Sequence, residues 1–218
     1  MLSTRLQAVL DMAPKARVFY DIGANHGLLG IEMLRTGKAD KAWLCDCSAK
    51  ALSKAQENVE KYRIGDKAQL HVGDGFNGLS VQEGDCAALC GMGARLMLKI
   101  LPKEPLACTL LLQPNIEPQL IRKSIARRGL VIEDECLAFD GGRHYVGMRL
   151  KKGQAKPLSV LEEYMGPCLM RARADALNSY MLWRLRVLER ATGLGSADKK
   201  VFEELAIVEE GLKWLSQQ

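Results

Sequence analysis

Polar and glycine-rich segments follow five apolar runs of the chain, and they carry most of the side chains suited to chemistry. The first, residues 21–27 (DIGANHG), follows the run Val18–Ile22. Its glycines permit a tight turn and a close approach of the backbone to a ligand. The spacing differs from the GxGxxG dinucleotide fingerprint, so alone it indicates a ligand loop and a structural turn equally. His26 is the best-placed histidine, as a site residue or a structural one, whereas His71 and His144 are interpreted as ordinary.

Carboxylates follow the next two runs. Asp46 comes 25 residues after Asp21, and a carboxylate there can accept both hydroxyl hydrogens of a ribose. NAD and S-adenosylmethionine sites share that feature, so it indicates an adenosine-type ligand without choosing between them. Asp74, within Gly73-Asp74-Gly75, can accept from an adenine amine, with a plain turn as the alternative. We favour the ligand interpretation.

Small and amide side chains follow the fourth and fifth runs. In Gly91-Met92-Gly93 the small residues leave room for a methylthio centre. In Gln113-Pro114-Asn115 the apolar run stops at two side-chain amides. Amides at such a rim can hydrogen-bond a base edge, or they can cap the following helix.

Strand-like runs alternate with amphipathic segments over residues 17–151, which predicts a mostly parallel sheet covered by helices on both faces. The predicted strands are Val18–Ile22, Ala42–Cys45, Ala68–Val72, Cys86–Cys90, Thr109–Leu112, Leu130–Phe139 and His144–Leu150. The predicted helices lie at 28–36, Ser48–Tyr62, Arg95–Leu101 and Glu117–Arg128, after a short amphipathic helix at the N-terminus. Asp140-Gly141-Gly142 indicates a hairpin between the last two strands. We therefore predict a Rossmann-like seven-stranded α/β sheet, the layout of class I methyltransferases, with ligands bound beyond the carboxyl ends of its strands.

The chain changes character at residues 153–157 (GQAKP), which predicts a linker. We place the domain boundary there, with a methyltransferase-type domain at 1–152 and a helical domain at 153–218. Helices are predicted at 158–165, 168–192 and 197–217, with a turn at 193–196. The last two helices carry matching apolar stripes, which predicts an antiparallel, coiled-coil-like helical hairpin. Basic residues on the first helix indicate either pairing with the acidic second helix, which we favour, or an RNA-binding face.

Composition excludes several classes of protein. The chain has 218 residues, of which 48% are hydrophobic and 26% charged, and no apolar run reaches the roughly 18 residues of a membrane span. Seven scattered cysteines favour buried reduced thiols over disulfides or a zinc site, so we expect no metal and a cytoplasmic location. A net charge of +5 permits a nucleic-acid partner without requiring one.

Taken together, these motifs carry a family resemblance. Several segments of the chain are similar to those of the bacterial tRNA (adenine-22-N1)-methyltransferase family. They are the quoted segments after the first, third, fourth and fifth apolar runs, together with Leu2-Ser3-x-Arg5-Leu6, Gly142–Tyr145 and Gly166-Pro167. The resemblance covers residues 2 to about 215. It implies a class I enzyme that transfers a methyl group from S-adenosylmethionine to N1 of an adenine in tRNA, with a C-terminal helical domain that helps to bind the tRNA. The chain departs from the family at Asn25, where aspartate is usual, and at Ala94, where glycine is usual.

The interpretation names three groups of residues, with tRNA as partner, S-adenosylmethionine as cofactor and a monomer favoured. The candidate catalytic residues are Asn25, His26 and Asn115. The candidate cofactor-binding residues are Asp21, Gly23, Asn25, His26, Asp46, Cys47, Gly73, Asp74, Gly75, Gly91, Met92 and Gly93. The candidate substrate-binding residues are Arg5, Arg95, Gln113, Asn115, Arg122, Lys123 and Tyr145. A solvated helix face is the alternative for the basic residues, and core packing is the alternative for Tyr145. A methyltransferase for another RNA or a small molecule, and a catalytically silent binding homologue, are the alternative functions.

Overall fold

A computed structural model of the chain describes residues 2–193 and 198–217. The chain divides into two compact units, Met1–Ala155 and Lys156–Gln218. Across the described residues, none of the helices is both long enough and apolar enough to cross a membrane.

The first unit is built on one seven-stranded sheet. Its strands are β1 (Ala16–Ile22), β2 (Ala39–Asp46), β3 (Ala68–Val72), β4 (Cys86–Met92), β5 (Thr109–Pro114), β6 (Leu130–Asp140) and β7 (Arg143–Lys152). They lie in the order β3-β2-β1-β4-β5-β7-β6. The first five strands are parallel, and β7 runs antiparallel to both β5 and β6. This arrangement confirms the predicted fold class. We call the edge at which β1 to β5 end the carboxyl edge.

Five helices and a short 3₁₀ turn accompany the sheet. They are α1 (Thr4–Met12), α2 (Leu28–Arg35), α3 (Ala49–Tyr62), α4 (Ala94–Ile100) and α5 (Pro118–Ile125), with the 3₁₀ turn at Ala126–Arg128. Ser48 caps α3 as predicted, since its side chain accepts a hydrogen bond from the amide of Ala51. The core lies between the sheet and these helices, where Phe19, Leu44 and Leu111 are completely shielded from solvent.

The β6–β7 hairpin extends beyond the neighbouring strand at the carboxyl edge. β7 pairs with β5 from Leu150 to Met148, whereas its pairing with β6 continues to Arg143 opposite Asp140. The turn consists of Gly141 and Gly142, both with positive φ, as a two-residue hairpin loop requires. The tip of the hairpin therefore projects past the end of β5.

The second unit is helical, and one prediction for it is wrong. Its helices are α6 (Val160–Met165), α7 (Pro167–Ala172), α8 (Asp175–Gly193) and α9 (Lys199–Ser216). The helix predicted over 168–192 is interrupted at Arg173, whose left-handed backbone (φ 48°) ends α7. α8 and α9 pack together, with Leu177, Met181 and Val208 buried. The turn predicted at 193–196 lies, apart from Gly193, outside the described residues.

Candidate functional site

A cavity of about 250 Å³ opens at the carboxyl edge. It lies where β1 and β4 are neighbours, the point at which the strand order reverses. Open α/β sheets bind ligands at such a switch point. Its polar and glycine lining consists of Arg5, Asp21, Gly23, Asn25, His26 and Gly91. The structure thus brings together six residues that the sequence assigned to a site.

The loop between β1 and α2 is shaped by left-handed residues. Gly23, Asn25 and Gly27 all have positive φ, and the amides of Gly23 and Ala24 donate to the Cys45 carbonyl at 2.8 and 2.9 Å. A Cβ at Gly23 would approach the Met92 Cε to 2.8 Å. The backbone conformation and the available space therefore both favour glycine at Gly23, which keeps the floor of the cavity open.

Asp21 lies at the base of this loop with its carboxylate turned inward. Its Oδ2 accepts from the amide of Gly30 at 3.0 Å, and the residue is 5% exposed. Burial raises the pKa of Asp21 to about 6, the Gly30 amide opposes the shift, and the nearby Asp46 charge adds to it. Asp21 therefore titrates closer to neutrality than an ordinary aspartate.

Asp46, at the end of β2, is oriented by two backbone amides. Its Oδ2 accepts from Asn25 at 3.1 Å and its Oδ1 from Ser48 at 2.9 Å. Because a carboxylate offers about four acceptor positions, two remain for a ligand. Asp46 thus ties the β1–α2 loop to β2 and can still accept hydroxyl groups. Cys47, next in the chain, is exposed.

The third predicted carboxylate lines a different cavity. Asp74 and Gly75 border a second space of about 600 Å³, which extends along the end of α4. The Asp74 carbonyl accepts from the amide of Asn77 at 3.2 Å, as in a turn, and the amide of Gly73 donates to the Asp46 carbonyl at 3.1 Å. The side chain of Asp74 is exposed, so its contact with an adenine stays a prediction.

Gln113 is buried, which contradicts the prediction that its side-chain amide contacts a base. It is 1% exposed, its Oε1 accepts from Arg5 Nη1 at 2.5 Å, and its Nε2 donates to the Pro114 carbonyl at 3.0 Å. The role that the structure gives Gln113 is to hold Arg5. The Arg5 guanidinium also lies 5.7 Å from the centre of the Tyr145 ring, and its Nη1 would lie 3.2 Å from a Cβ at Gly91.

Asn115 remains exposed at the rim. Its backbone amide donates to the Met92 carbonyl at 2.8 Å and its Nδ2 to the Gly91 carbonyl at 2.6 Å. Both bonds fix the side chain against the end of β4 and leave Oδ1 as an acceptor. The predicted loop after β4 and the predicted amide after β5 therefore meet, which the sequence alone does not show.

The three predicted basic residues other than Arg5 differ in their surroundings. Arg122 is a wrong prediction for RNA contact, because it is 1% exposed and its Nε donates to Glu135 Oε1 at 2.7 Å. Arg95 is exposed but forms two bonds to Glu117, at 2.8 and 2.9 Å, and this partner raises the pKa of Arg95. Lys123 is exposed, so its contact with RNA stays a prediction. Arg128, in the same basic run, donates to the carbonyls that end α4.

Sequence reasoning missed the contribution of Asp140. Its Oδ2 accepts from the backbone amide of Arg5 at 3.4 Å, which joins the hairpin tip to α1 beside the cavity. Asp140 belongs to the predicted turn, and the only available signal was its acidic side chain next to two glycines.

Comparisons with known proteins agree with the fold. Residues 2–148 match the family model described as a methyltransferase domain. The tRNA (adenine(22)-N(1))-methyltransferase of Bacillus subtilis is 30% identical over 148 residues, which cover 66% of this chain and 62% of that protein. M. capricolum TrmK, solved with S-adenosyl-homocysteine, has a TM-score of 0.81 at 20% identity, covering 98% of each chain. Streptococcus pneumoniae Sp1610, solved with S-adenosyl-L-methionine, has a TM-score of 0.83 at 23% identity, covering 97% of this chain and 100% of that one. The two structures share the fold.

Proposed function

This chain belongs to the methyltransferase-domain family, and from that membership we propose that it transfers a methyl group from S-adenosylmethionine to N1 of an adenine in tRNA. The named activity of the Bacillus subtilis relative supports the reaction, and the ligands of the two solved neighbours support the cofactor. The observation that carries the proposal is the cavity at the β1–β4 switch point, between a buried Asp21 and the Asp46-bound loop.

The residues present fit this cofactor. Gly23 and Gly91 both line the cavity and both have positive φ, so the backbone can approach a bound ligand closely at these two positions. Asp46 keeps acceptor positions suited to ribose hydroxyls, and Asp74 is assigned to the adenine. When bound, the cofactor supplies a methyl group on a sulfonium, while the protein supplies orientation and electrostatics. The other residues proposed to bind the cofactor are Asp21, Asn25, His26, Cys47, Met92 and the glycines Gly23, Gly73, Gly75, Gly91 and Gly93.

Adenine N1 carries an in-plane lone pair, so no base is required to make it nucleophilic. The chain's task is to orient the ring and to stabilise the positive charge that develops on it. The free Oδ1 of Asn115 can accept from the adenine amine, and Asn25 presents a side-chain dipole at the cavity. These two amides are our proposed catalytic residues, with His26 beside them.

The tRNA contacts are assigned to Arg5, which lines the cavity, and to Arg95, Lys123 and Tyr145. The helical second unit, Lys156–Gln218, is assigned as a further binding region. If the target adenine is base-paired, its Watson–Crick edge must be freed before methylation, as in base flipping. Binding through cationic side chains should weaken steeply with salt.

Nucleoside mass spectrometry tests the proposal. Unmodified tRNA is incubated with the protein and S-adenosylmethionine, digested, and analysed for 1-methyladenosine; Asp46→Ala serves as the control with an impaired cofactor site. We expect 1-methyladenosine with the wild-type protein and much less with the variant. Methylation of another RNA alone, or cofactor binding without methylation of any RNA, would contradict the proposal. Tighter binding of NAD than of S-adenosylmethionine in calorimetry would contradict the cofactor assignment.

A further inference from the structure

The turn that follows β3 is rich in glycine. Gly73, Gly75 and Gly78 lie within residues 73–78 (GDGFNG), and the last two have positive φ of 60° and 78°. Glycine loses more conformational freedom on folding than any other residue, so this turn needs support to keep one shape. Asp74, which is assigned to the adenine of the cofactor, lies within it.

His71, near the end of β3, provides that support. Its Nε2 lies 2.9 Å from the carbonyl oxygen of Asn77, and because a carbonyl only accepts, the histidine nitrogen donates. The amide of Asn77 in turn donates to the Asp74 carbonyl at 3.2 Å. Both backbone groups of Asn77 are therefore engaged, one closing the turn and the other joining it to β3.

The glycines and the histidine ring fit each other. A Cβ at Gly73 would lie 2.5 Å from the His71 Nε2, and a Cβ at Gly78 would lie 3.2 Å from its Cε1. A side chain at Gly73 would thus displace the ring or the turn. The ring is also held from the sheet, because the Trp43 ring meets it edge-on, with the ring centres 5.9 Å apart and a tilt of 65°.

The same turn is joined to the carboxylate proposed for the ribose. The amide of Gly73 donates to the carbonyl of Asp46 at 3.1 Å, and β2 and β3 are neighbours in the sheet. Asp46 is oriented by two backbone amides of its own. Asp74, by contrast, is exposed, so the position of its carboxylate depends on the conformation of the turn.

We propose that His71 is a positioning residue for S-adenosylmethionine, which holds the turn at 73–78 so that the Asp74 carboxylate can accept from the adenine amine. The inference rests on the proposed function, since it takes S-adenosylmethionine to be the cofactor. In this role His71 touches the turn rather than the cofactor. It contributes to recognition of the amine without taking part in methyl transfer.

A pair of ligands that differ only in the adenine amine tests this role. Calorimetry compares S-adenosyl-homocysteine with its 6-deamino analogue, in which a hydrogen atom replaces the amine. We expect the wild-type protein to prefer the amine about three- to ten-fold, on the order of one net hydrogen bond, and Asp74→Ala to abolish this preference. His71→Leu removes the donor and should lower the preference below about two-fold. His71→Gln keeps a donor of similar reach and should retain the preference.

The ratio of the two affinities separates positioning from general damage, because a loosened fold weakens both ligands alike. Gln69→Leu, an exposed change on the same strand, should keep both affinities, and melting curves accompany all variants. If the wild-type protein prefers the amine and His71→Leu keeps that preference, even with weaker binding of both ligands, the positioning role is wrong while the cofactor assignment stands. Equal binding of the two ligands by the wild type would refute the contact at Asp74 and this inference with it. Binding of neither ligand would refute the proposed function as well.

Discussion

The guanidinium of Arg5 donates to the buried side-chain oxygen of Gln113 at 2.5 Å, across 108 residues of sequence. A charge-assisted bond of this kind is among the stronger side-chain interactions. This bond fixes the Arg5 guanidinium, which is carried by the first helix, at the cavity. Gln113 therefore fixes the position of Arg5 at the cavity.

A double-mutant cycle tests this positioning role. Gln113→Met keeps the volume and removes the acceptor, so we expect tRNA affinity to fall by about ten-fold. Arg5→Lys should weaken binding similarly, and the double variant should lose little more than either single one, with a coupling of at least about 1 kcal/mol. Gln113→Glu keeps the acceptor for Arg5 but loses the donor to the Pro114 carbonyl, so it should retain more tRNA affinity than Gln113→Met. Independent, additive losses would show that Arg5 does not work through Gln113.

Asp46 should be required for cofactor binding. Asp46→Ala removes the acceptor proposed for the ribose, and we expect it to weaken S-adenosylmethionine binding by about 1–3 kcal/mol in calorimetry. The change also frees the amides of Asn25 and Ser48, so a melting curve must accompany the titration. Asp40→Ala, at the exposed opposite end of the same strand, should leave affinity unchanged. Equal affinities for all three proteins would refute the assignment.

Asn25→Asp should raise the rate of the chemical step. A carboxylate near the adenine amine would stabilise the cationic product and could take a proton from it, a contribution of up to about 10²-fold. The left-handed backbone at Asn25 (φ 49°) tolerates aspartate as well as asparagine. Single-turnover rates at saturating cofactor measure the effect. An unchanged or lower rate would assign Asn25 to cofactor positioning alone.

Removal of the second unit should separate the two binding activities. A protein ending at Ala155 retains the whole sheet and the cavity. We expect it to bind S-adenosylmethionine like the full chain and to bind tRNA at least ten-fold more weakly, on the order of the loss of several ionic contacts. Filter binding at two salt concentrations provides the comparison. Undiminished tRNA binding would remove Lys156–Gln218 from the RNA-binding surface.

Asp21 should make stability fall as the pH rises. Its pKa is raised to about 6, so the folded state binds this proton more tightly than the unfolded state, whose aspartates titrate near 4. The contribution of this proton to the free energy of unfolding is fully present below about pH 4 and is lost as the pH rises through 6, a change of about 1–3 kcal/mol. Asp21→Asn keeps an acceptor for Gly30 and should flatten this part of the profile. Denaturant unfolding at pH 5 and pH 8 measures it, and parallel profiles would disprove the assignment.

Local sequence signals predicted the strands of the sheet and most of the residues that follow them in the loops of the carboxyl edge. The cap of α3 by Ser48 was predictable, because a serine directly before an amphipathic segment is a signal that lies within the local sequence. The wrong predictions depend on distant partners or on unmarked conformations. Arg122 is buried because Glu135, on another element, neutralises it, and a basic run alone cannot reveal that pairing. Arg173 ends α7 in a left-handed conformation that glycine or asparagine usually signals.

The contact between Arg5 and Asp140 spans 135 residues, and this span has a consequence during biosynthesis. At about 5–20 residues per second, Arg5 is synthesised roughly 7–27 s before its partner. Until then the first helix lacks the hairpin strands that it packs against. A chain interrupted before the hairpin would therefore lack the Asp140 acceptor that fixes the start of α1, and Arg5 would be held from both sides only after the last strands of the sheet are made.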